Sequence, residues 1–357
     1  MKQKILTILG TRPEIIRLSR IIPKLDTVSK QIVLHTGQNY NSNLNDIFFN
    51  ELNIRLPDIV IESKAETLAE QLGKIFLGIE NAILKHQPDK VLMLGDTNSS
   101  IGALICTRYG VPVYHMEAGN RCYDLTVPEE INRRIIDATS TINMPYTNLS
   151  RENLLREGMA NNKIFVTGNP INEVLTYYSD RIDSSNVLDR LNLQNKNYII
   201  VTAHRAENVD VDSRLKSIFK ALNQVARQHK VVFSCHPRTK EKLNKSGIIV
   251  DANIIIREPF GFFDFVNLEK NSMLAITDSG TVQEEMCLLG IPTVTIRDST
   301  ERPETVWCGS NVVSGLEADD IIRCTEHMIN FSGTWIPPTE YTRTDVSNTV
   351  VNILMSK

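Results

Sequence analysis

The hydrophobic segments of this chain are short and unbroken, and longer stretches of helical period separate them. The runs fall at 5–9, 32–35, 90–94, 111–115 and 164–167, and again at 198–203, 231–235, 254–256, 274–277 and 293–296. A strand with one wet face alternates polar and apolar residues. An unbroken run instead marks a parallel strand covered on both faces. Between the runs, 13–25 opens with Pro13 and Glu14, residues that suit the first turn of a helix. The stretch 67–85 places Leu68, Leu72, Ile75, Phe76, Ile79 and Ile83 on one helical face, and 214–228 and 281–289 read similarly. Strand and helix in alternation specify a doubly wound α/β fold.

The two series of runs imply two domains, which a length of 357 residues allows at about 100–200 residues each. The break is expected within 170–197, which holds a helix at 171–178 and a polar segment at 180–197. The expected division is a first Rossmann-like domain over 1–170 and a second over 171–340, facing each other across a cleft. With 41% hydrophobic residues, both cores can be filled. A net charge of -3 gives no global attraction to nucleic acid or to an anionic membrane. The six cysteines form no C-x-x-C pair and no zinc-like cluster, so six reduced thiols and no metal are expected. The basic Met1-Lys2-Gln3-Lys4 precedes an apolar run that stops at Gly10, which reads as a first strand and not as a signal peptide. No run approaches the roughly 20 residues a membrane span needs. A soluble, cytoplasmic protein is expected.

In such sheets, ligands sit beyond the carboxyl ends of the strands. After the first run comes Gly10-Thr11-Arg12-Pro13-Glu14, a glycine turn into a helix N-terminus with a guanidinium suited to phosphate. It is neither a Walker loop nor G-x-G-x-x-G. Later turns carry Gly95-Asp96-Thr97 and Glu117-Ala118-Gly119-Asn120-Arg121, and a helix start carries Pro128-Glu129-Glu130-Ile131-Asn132-Arg133. Singly, Asp96 reads as a helix cap and Glu129 as a first-turn acid. Together, carboxylates at neighbouring strand ends suit a general acid and a general base. The second series repeats the theme with Thr202-Ala203-His204-Arg205, then Asp278-Ser279-Gly280 before a helix bearing Glu284 and Glu285, then Glu301-Arg302-Pro303-Glu304. Phe260, Phe262, Phe263 and Phe265 are read mainly as core, and His35, His86, His229 and His327 as structural or surface residues.

Taken in order, these seven segments resemble the non-hydrolysing UDP-N-acetylglucosamine 2-epimerases nearly end to end. The resemblance implies a glycosyltransferase-B-type pair of Rossmann-like domains, with a C-terminal helix at 341–357 returning to the first. It implies a C2 epimerisation through loss and re-addition of UDP, with a 2-acetamidoglycal between. Asp96, Glu117 and Glu129 become the acid/base carboxylates, joined in the catalytic set by Arg17 and His204. Arg12, His204, Ser279 and Gly280 are implied for the diphosphate and Glu285 for the ribose. Asn120, Arg121, Arg133, Arg205 and Arg302 complete the expected substrate contacts. The partner is a UDP-sugar, no metal or redox cofactor is implied, and a homodimer is expected. The sequence departs from the common pattern at Arg17, where a lysine is usual, at Asn120-Arg121-Cys122, at Gln38-Asn39-Tyr40 and at His236-Pro237-Arg238. These variants resemble the branch that forms UDP-N-acetyl-L-fucosamine from UDP-2-acetamido-2,6-dideoxy-L-talose for capsule or O-antigen. The alternatives are a UDP-N-acetylglucosamine/UDP-N-acetylmannosamine 2-epimerase and a hydrolysing relative.

Overall fold

A computed structural model describes residues 2–38, 42–331 and 333–356. Its strands form two six-stranded, wholly parallel sheets, one in each of two compact units. The first unit is Met1–Tyr177 with Glu340–Lys357, and the second is Tyr178–Thr339.

In the first unit, β1 (Lys4–Leu9), β2 (Lys30–His35), β3 (Ile59–Val60), β4 (Lys90–Leu94), β5 (Val113–Met116) and β6 (Ile142–Met144) lie in the order β3-β2-β1-β4-β5-β6. In the second, β7 (Tyr198–Thr202), β8 (Lys230–Ser234), β9 (Ile254–Arg257), β10 (Leu274–Thr277), β11 (Thr293–Thr295) and β12 (Asn311–Val313) lie in the order β12-β11-β10-β7-β8-β9. Both are the doubly wound order, and the winding reverses between β1 and β4 and between β7 and β10. The register is fixed by core residues, with Leu6 opposite Ile32 and Val91, and Val201 opposite Phe233 and Ile276.

The unbroken runs follow from burial on both faces. Along β7, Ile199 and Val201 pack into one core with Phe219, Leu222 and Phe233. Their neighbours Tyr198 and Ile200 pack into another with Val232, Leu268 and Met286. The chain is therefore α/β with two Rossmann-like units. Among the described residues, no helix is long and apolar enough to cross a membrane.

Four details differ from the sequence expectations. The run at 164–167 is not a strand: Ile164 makes a single bridge to Asn143, and the sheet edge is the three-residue β6. The strand expected from 111 begins at Val113, after Pro112, which has no N–H to give a ladder. The helix expected over 13–25 is two, Arg12–Leu18 and Ile22–Val28, with Pro23 in the first turn of the second. The helix Ile171–Tyr177 belongs to the first unit, where it packs on Arg12–Leu18, so the division falls after 177 and not after 170. The C-terminal helix Val346–Met355 also lies in the first unit, against Ile22–Val28.

Candidate active site

In the first unit, the turn after β1 is set by a capping box. Glu14 accepts the backbone N–H of Gly10 and of Thr11, and Thr97 Oγ1 donates to it at 2.8 Å from the turn after β4. Glu14 is buried, and burial pushes its carboxyl up to about 7 despite those donors. A Cβ at Gly10 would lie 2.1 Å from Thr36 Oγ1 and 2.4 Å from Ser99 Oγ, so only glycine fits there. Arg12 follows, half-buried, with its guanidinium 5.7 Å from the Phe48 ring. Burial lowers its pKa, and among the described residues no carboxylate pairs with it. A partly dehydrated guanidinium suits an anionic ligand.

Glu117 leaves β5 with φ at 68°, a left-handed backbone that a non-glycine residue takes at a cost. Its buried carboxylate is ion-paired with buried Arg17, whose guanidinium lies 5.7 Å from the Tyr146 ring. Tyr146 and Asn120 donate to Glu117 at 3.5 and 3.4 Å. A Cβ built on Gly95 would be 3.9 Å from Glu117 Oε2, so this carboxylate overlies the turn that carries Asp96. Asp96 accepts from Arg133 Nε at 2.7 Å, and Asn132 Nδ2 donates to the Asp96 carbonyl at 2.8 Å. These bonds bring the start of helix Pro128–Thr139 to the end of β4. Glu130 is fully buried, taking Arg133 at 2.9 Å and the Cys122 N–H at 3.0 Å. Glu129, one residue earlier, keeps partial exposure.

Beneath these groups lies His115, which the sequence did not single out. Its Nδ1 is 2.9 Å from Asp137 Oδ1 and its Nε2 is 2.9 Å from the Gly95 carbonyl. Burial would raise Asp137, but His115 and Arg121 outweigh it and hold the carboxyl below its usual range. The spacing from β5 to Asp137 carries no signal in the sequence, because a helix turn sets it.

In the second unit, Asp278 closes β10, fully buried. It accepts the N–H groups of His204 and Arg205, each at 2.9 Å, and Asn208 Nδ2 at 3.1 Å. His204 Nδ1 lies 3.1 Å from Asp278 Oδ1, and the imidazole is 43% exposed. Burial would raise Asp278, yet His204 and Arg205 prevail and hold it at about 2. Arg205 donates to the Asp278 carbonyl at 2.9 Å and to Glu301 at 3.2 Å. Ser279 sits at the N-cap position of helix Gly280–Leu289, and a Cβ on Gly280 would come within 2.6 Å of Glu301 Oε1. Glu285, on the same helix, is buried.

Three arginines expected on substrate turn inward. Arg121 is buried against Glu157, Asp137 and the Asn120 carbonyl, each within 2.8 Å. Arg302 is buried in an ion pair with Glu284. Arg133 joins Asp96 to Glu130. The charges were legible, but most of their partners were not, because Asp96, Asp137, Glu157 and Glu284 come from elements distant in sequence. Of the divergent segment Gln38-Asn39-Tyr40, the last two residues lie outside the described ones. Asp96, Glu117, Glu129, Arg12, Arg17 and Asn120 thus belong to one unit, and His204, Arg205, Ser279, Gly280 and Glu285 to the other.

The profile of the family described as UDP-N-acetylglucosamine 2-epimerase matches residues 24–355. The UDP-N-acetylglucosamine 2-epimerase of Methanocaldococcus jannaschii is 41% identical over 347 residues, 94% of each chain. The UDP-2,3-diacetamido-2,3-dideoxy-D-glucuronate 2-epimerase of Pseudomonas aeruginosa is 38% identical over 326 residues, 89% of this chain and 90% of its own. The crystal structure of the M. jannaschii UDP-GlcNAc 2-epimerase in complex with UDP-GlcNAc and UDP matches with a TM-score of 0.94 at 40% identity, covering 99% of both chains. A likeness that runs this far along the sequence and the fold shows that the chain belongs to the non-hydrolysing UDP-N-acetylglucosamine 2-epimerase family and is an isomerase.

Proposed function

We propose that this enzyme inverts C2 of a UDP-N-acetylhexosamine by eliminating UDP and adding it back. The C2 proton is not adjacent to a carbonyl and is weakly acidic, so it is removed as the C1–O bond breaks. UDP departs with the bonding pair, leaving a 2-acetamidoglycal, and C2 is reprotonated from the opposite face as UDP returns. The observation that carries this reading is the pair of carboxylates on the strand-end turns of the first unit, Asp96 and Glu117, with Glu129 in the first turn of the helix that Asn132 and Arg133 tie to the Asp96 turn. They are assigned the acid and base steps. Arg12, His204, Ser279 and Gly280 are assigned the diphosphate, where guanidinium, imidazole and helix N-terminus meet the leaving charge. Glu285 is assigned the ribose.

For the sugar, the first reading is UDP-2-acetamido-2,6-dideoxy-L-talose, converted to UDP-N-acetyl-L-fucosamine. Two residues that depart from the common family pattern, Arg17 and Asn120, both contact the Glu117 carboxylate, where a change alters fit beside C2. That reading includes a cytoplasmic homodimer supplying capsule or O-antigen synthesis. The second reading is UDP-N-acetylglucosamine, favoured by the 41% identical relative. Proton NMR in D2O on each sugar nucleotide tests both. Deuterium at C2 with the inverted sugar nucleotide retained is the expected result, faster on the L-talo substrate. No exchange on either substrate removes the elimination reading, and accumulating free UDP and free sugar replaces it with hydrolysis.

A further inference from the structure

The helices Phe262–Asn271 and Gly280–Leu289 pack together in the second unit, and each brings a glutamate to their contact. Glu269 is 0% exposed and Glu285 is 4% exposed, and their carboxyls are in hydrogen-bonding contact. Both Glu269 carboxyl oxygens are buried, and among the described residues neither accepts an N–H or hydroxyl. The other titratable group facing Glu269 is Tyr198 on β7, and its hydroxyl donates 2.6 Å to the Leu268 carbonyl. A buried carboxylate with neither a cation nor a donor is untenable as an anion. Two carboxyls in contact are satisfied when one keeps its proton and donates it to the other. Glu269 is the more deeply buried of the two and has no other donor among the described residues, and burial and the charge of Glu285 both push its carboxyl well above its usual range.

We propose that Glu269 is a positioning residue which, as a neutral acid, donates a hydrogen bond to Glu285 and fixes that carboxylate for the two hydroxyls of the ligand's ribose. The proposal rests on the ribose assignment of Glu285. Nothing in the sequence marks Glu269, which sits inside a helix and is no part of a strand-end turn.

The test is titration calorimetry of UDP and of 2′,3′-dideoxy-UDP on the full-length wild type, Glu269→Gln and Glu269→Leu, with infrared spectra of each. Glu269→Leu is expected to weaken UDP about tenfold, as loss of a hydrogen bond to a charged group does. Its affinity for dideoxy-UDP should match that of the wild type. Glu269→Gln keeps a donor and should retain UDP affinity. In the wild-type-minus-variant infrared difference spectra, where any band from Glu14 cancels, the carbonyl band of a buried protonated carboxyl should appear for both variants. Equal weakening of both ligands by Glu269→Leu, or a missing band, overturns the positioning role while the ribose assignment stands. If the wild type itself binds both ligands equally, the ribose assignment fails and the proposal with it.

Discussion

The first-unit carboxylates are held in three different ways. Glu117 is buried and ion-paired, Asp96 is half-buried against Arg133, and Glu129 keeps partial exposure at a helix start. Asp96→Asn, Glu117→Gln and Glu129→Gln are each expected to lower kcat by roughly 10²–10⁴, the usual contribution of a positioned acid or base. UDP affinity should change little, because the residues assigned to the nucleotide are elsewhere. Near-normal kcat in all three variants would end the assignment. The places of Asp96, Glu117, His204 and Ser279 in the fold were legible because each comes just after a strand, the edge of a doubly wound sheet where ligands are expected. The inward arginines were not, since Arg121 faces Glu157 for reasons of tertiary packing alone. His115 was within reach, on β5 two residues before Glu117, but only its contacts with Asp137 and Gly95 give it a place.

Among the elements, the turn from β1 into helix Arg12–Leu18 depends most on a single side chain. Glu14 satisfies the N–H groups of Gly10 and Thr11 and ties the turn to Thr97. Its folded pKa of about 7 lies above the ordinary 4.5, so the folded chain holds a proton that the unfolded chain has released. The associated stability is therefore complete below about 4.5 and is lost as pH rises through about 7. At about 1.4 kcal/mol per unit, the loss is roughly 3 kcal/mol. Glu14→Gln has the same shape and no titration, so the wild-type melting temperature should fall relative to the variant's across that window in scanning calorimetry. A constant difference from pH 4 to pH 8 would show that Glu14 does not titrate there. The longer strands were readable because burial on both faces forces unbroken apolar runs. The edge strands β3, β6 and β12 were not, since two or three residues are too few to show a pattern.

Across the whole molecule, two series of runs gave two sheets, but the first unit is not one continuous stretch of chain. Residues 340–357 complete it, and the helix Val346–Met355 fills its own part of that core. Val346, Val350 and Leu354 are fully buried, and the Ser347 N–H donates to Glu173 at 2.8 Å. Lys90, at the start of β4 and itself buried, donates to the Leu354 carbonyl at 2.6 Å. Ending the chain at 339 would expose apolar surface worth about 1.5–3 kcal/mol for each large side chain. It would also remove both carbonyl acceptors of the Lys90 ammonium, those of Leu354 and Ser356. The sum rivals the whole stability of a typical domain, about 5–15 kcal/mol. The second unit, Tyr178–Thr339, has its own sheet and cores and keeps every one of its residues. Hydrogen exchange on the truncated chain should therefore show lost protection in β1 and β4, with β7 and β10 as slow as in the full chain. Equal loss in both sheets would mean that the two units do not fold as separate cooperative bodies. Unchanged protection in β1 and β4 would mean that the first core closes without its C-terminal helix.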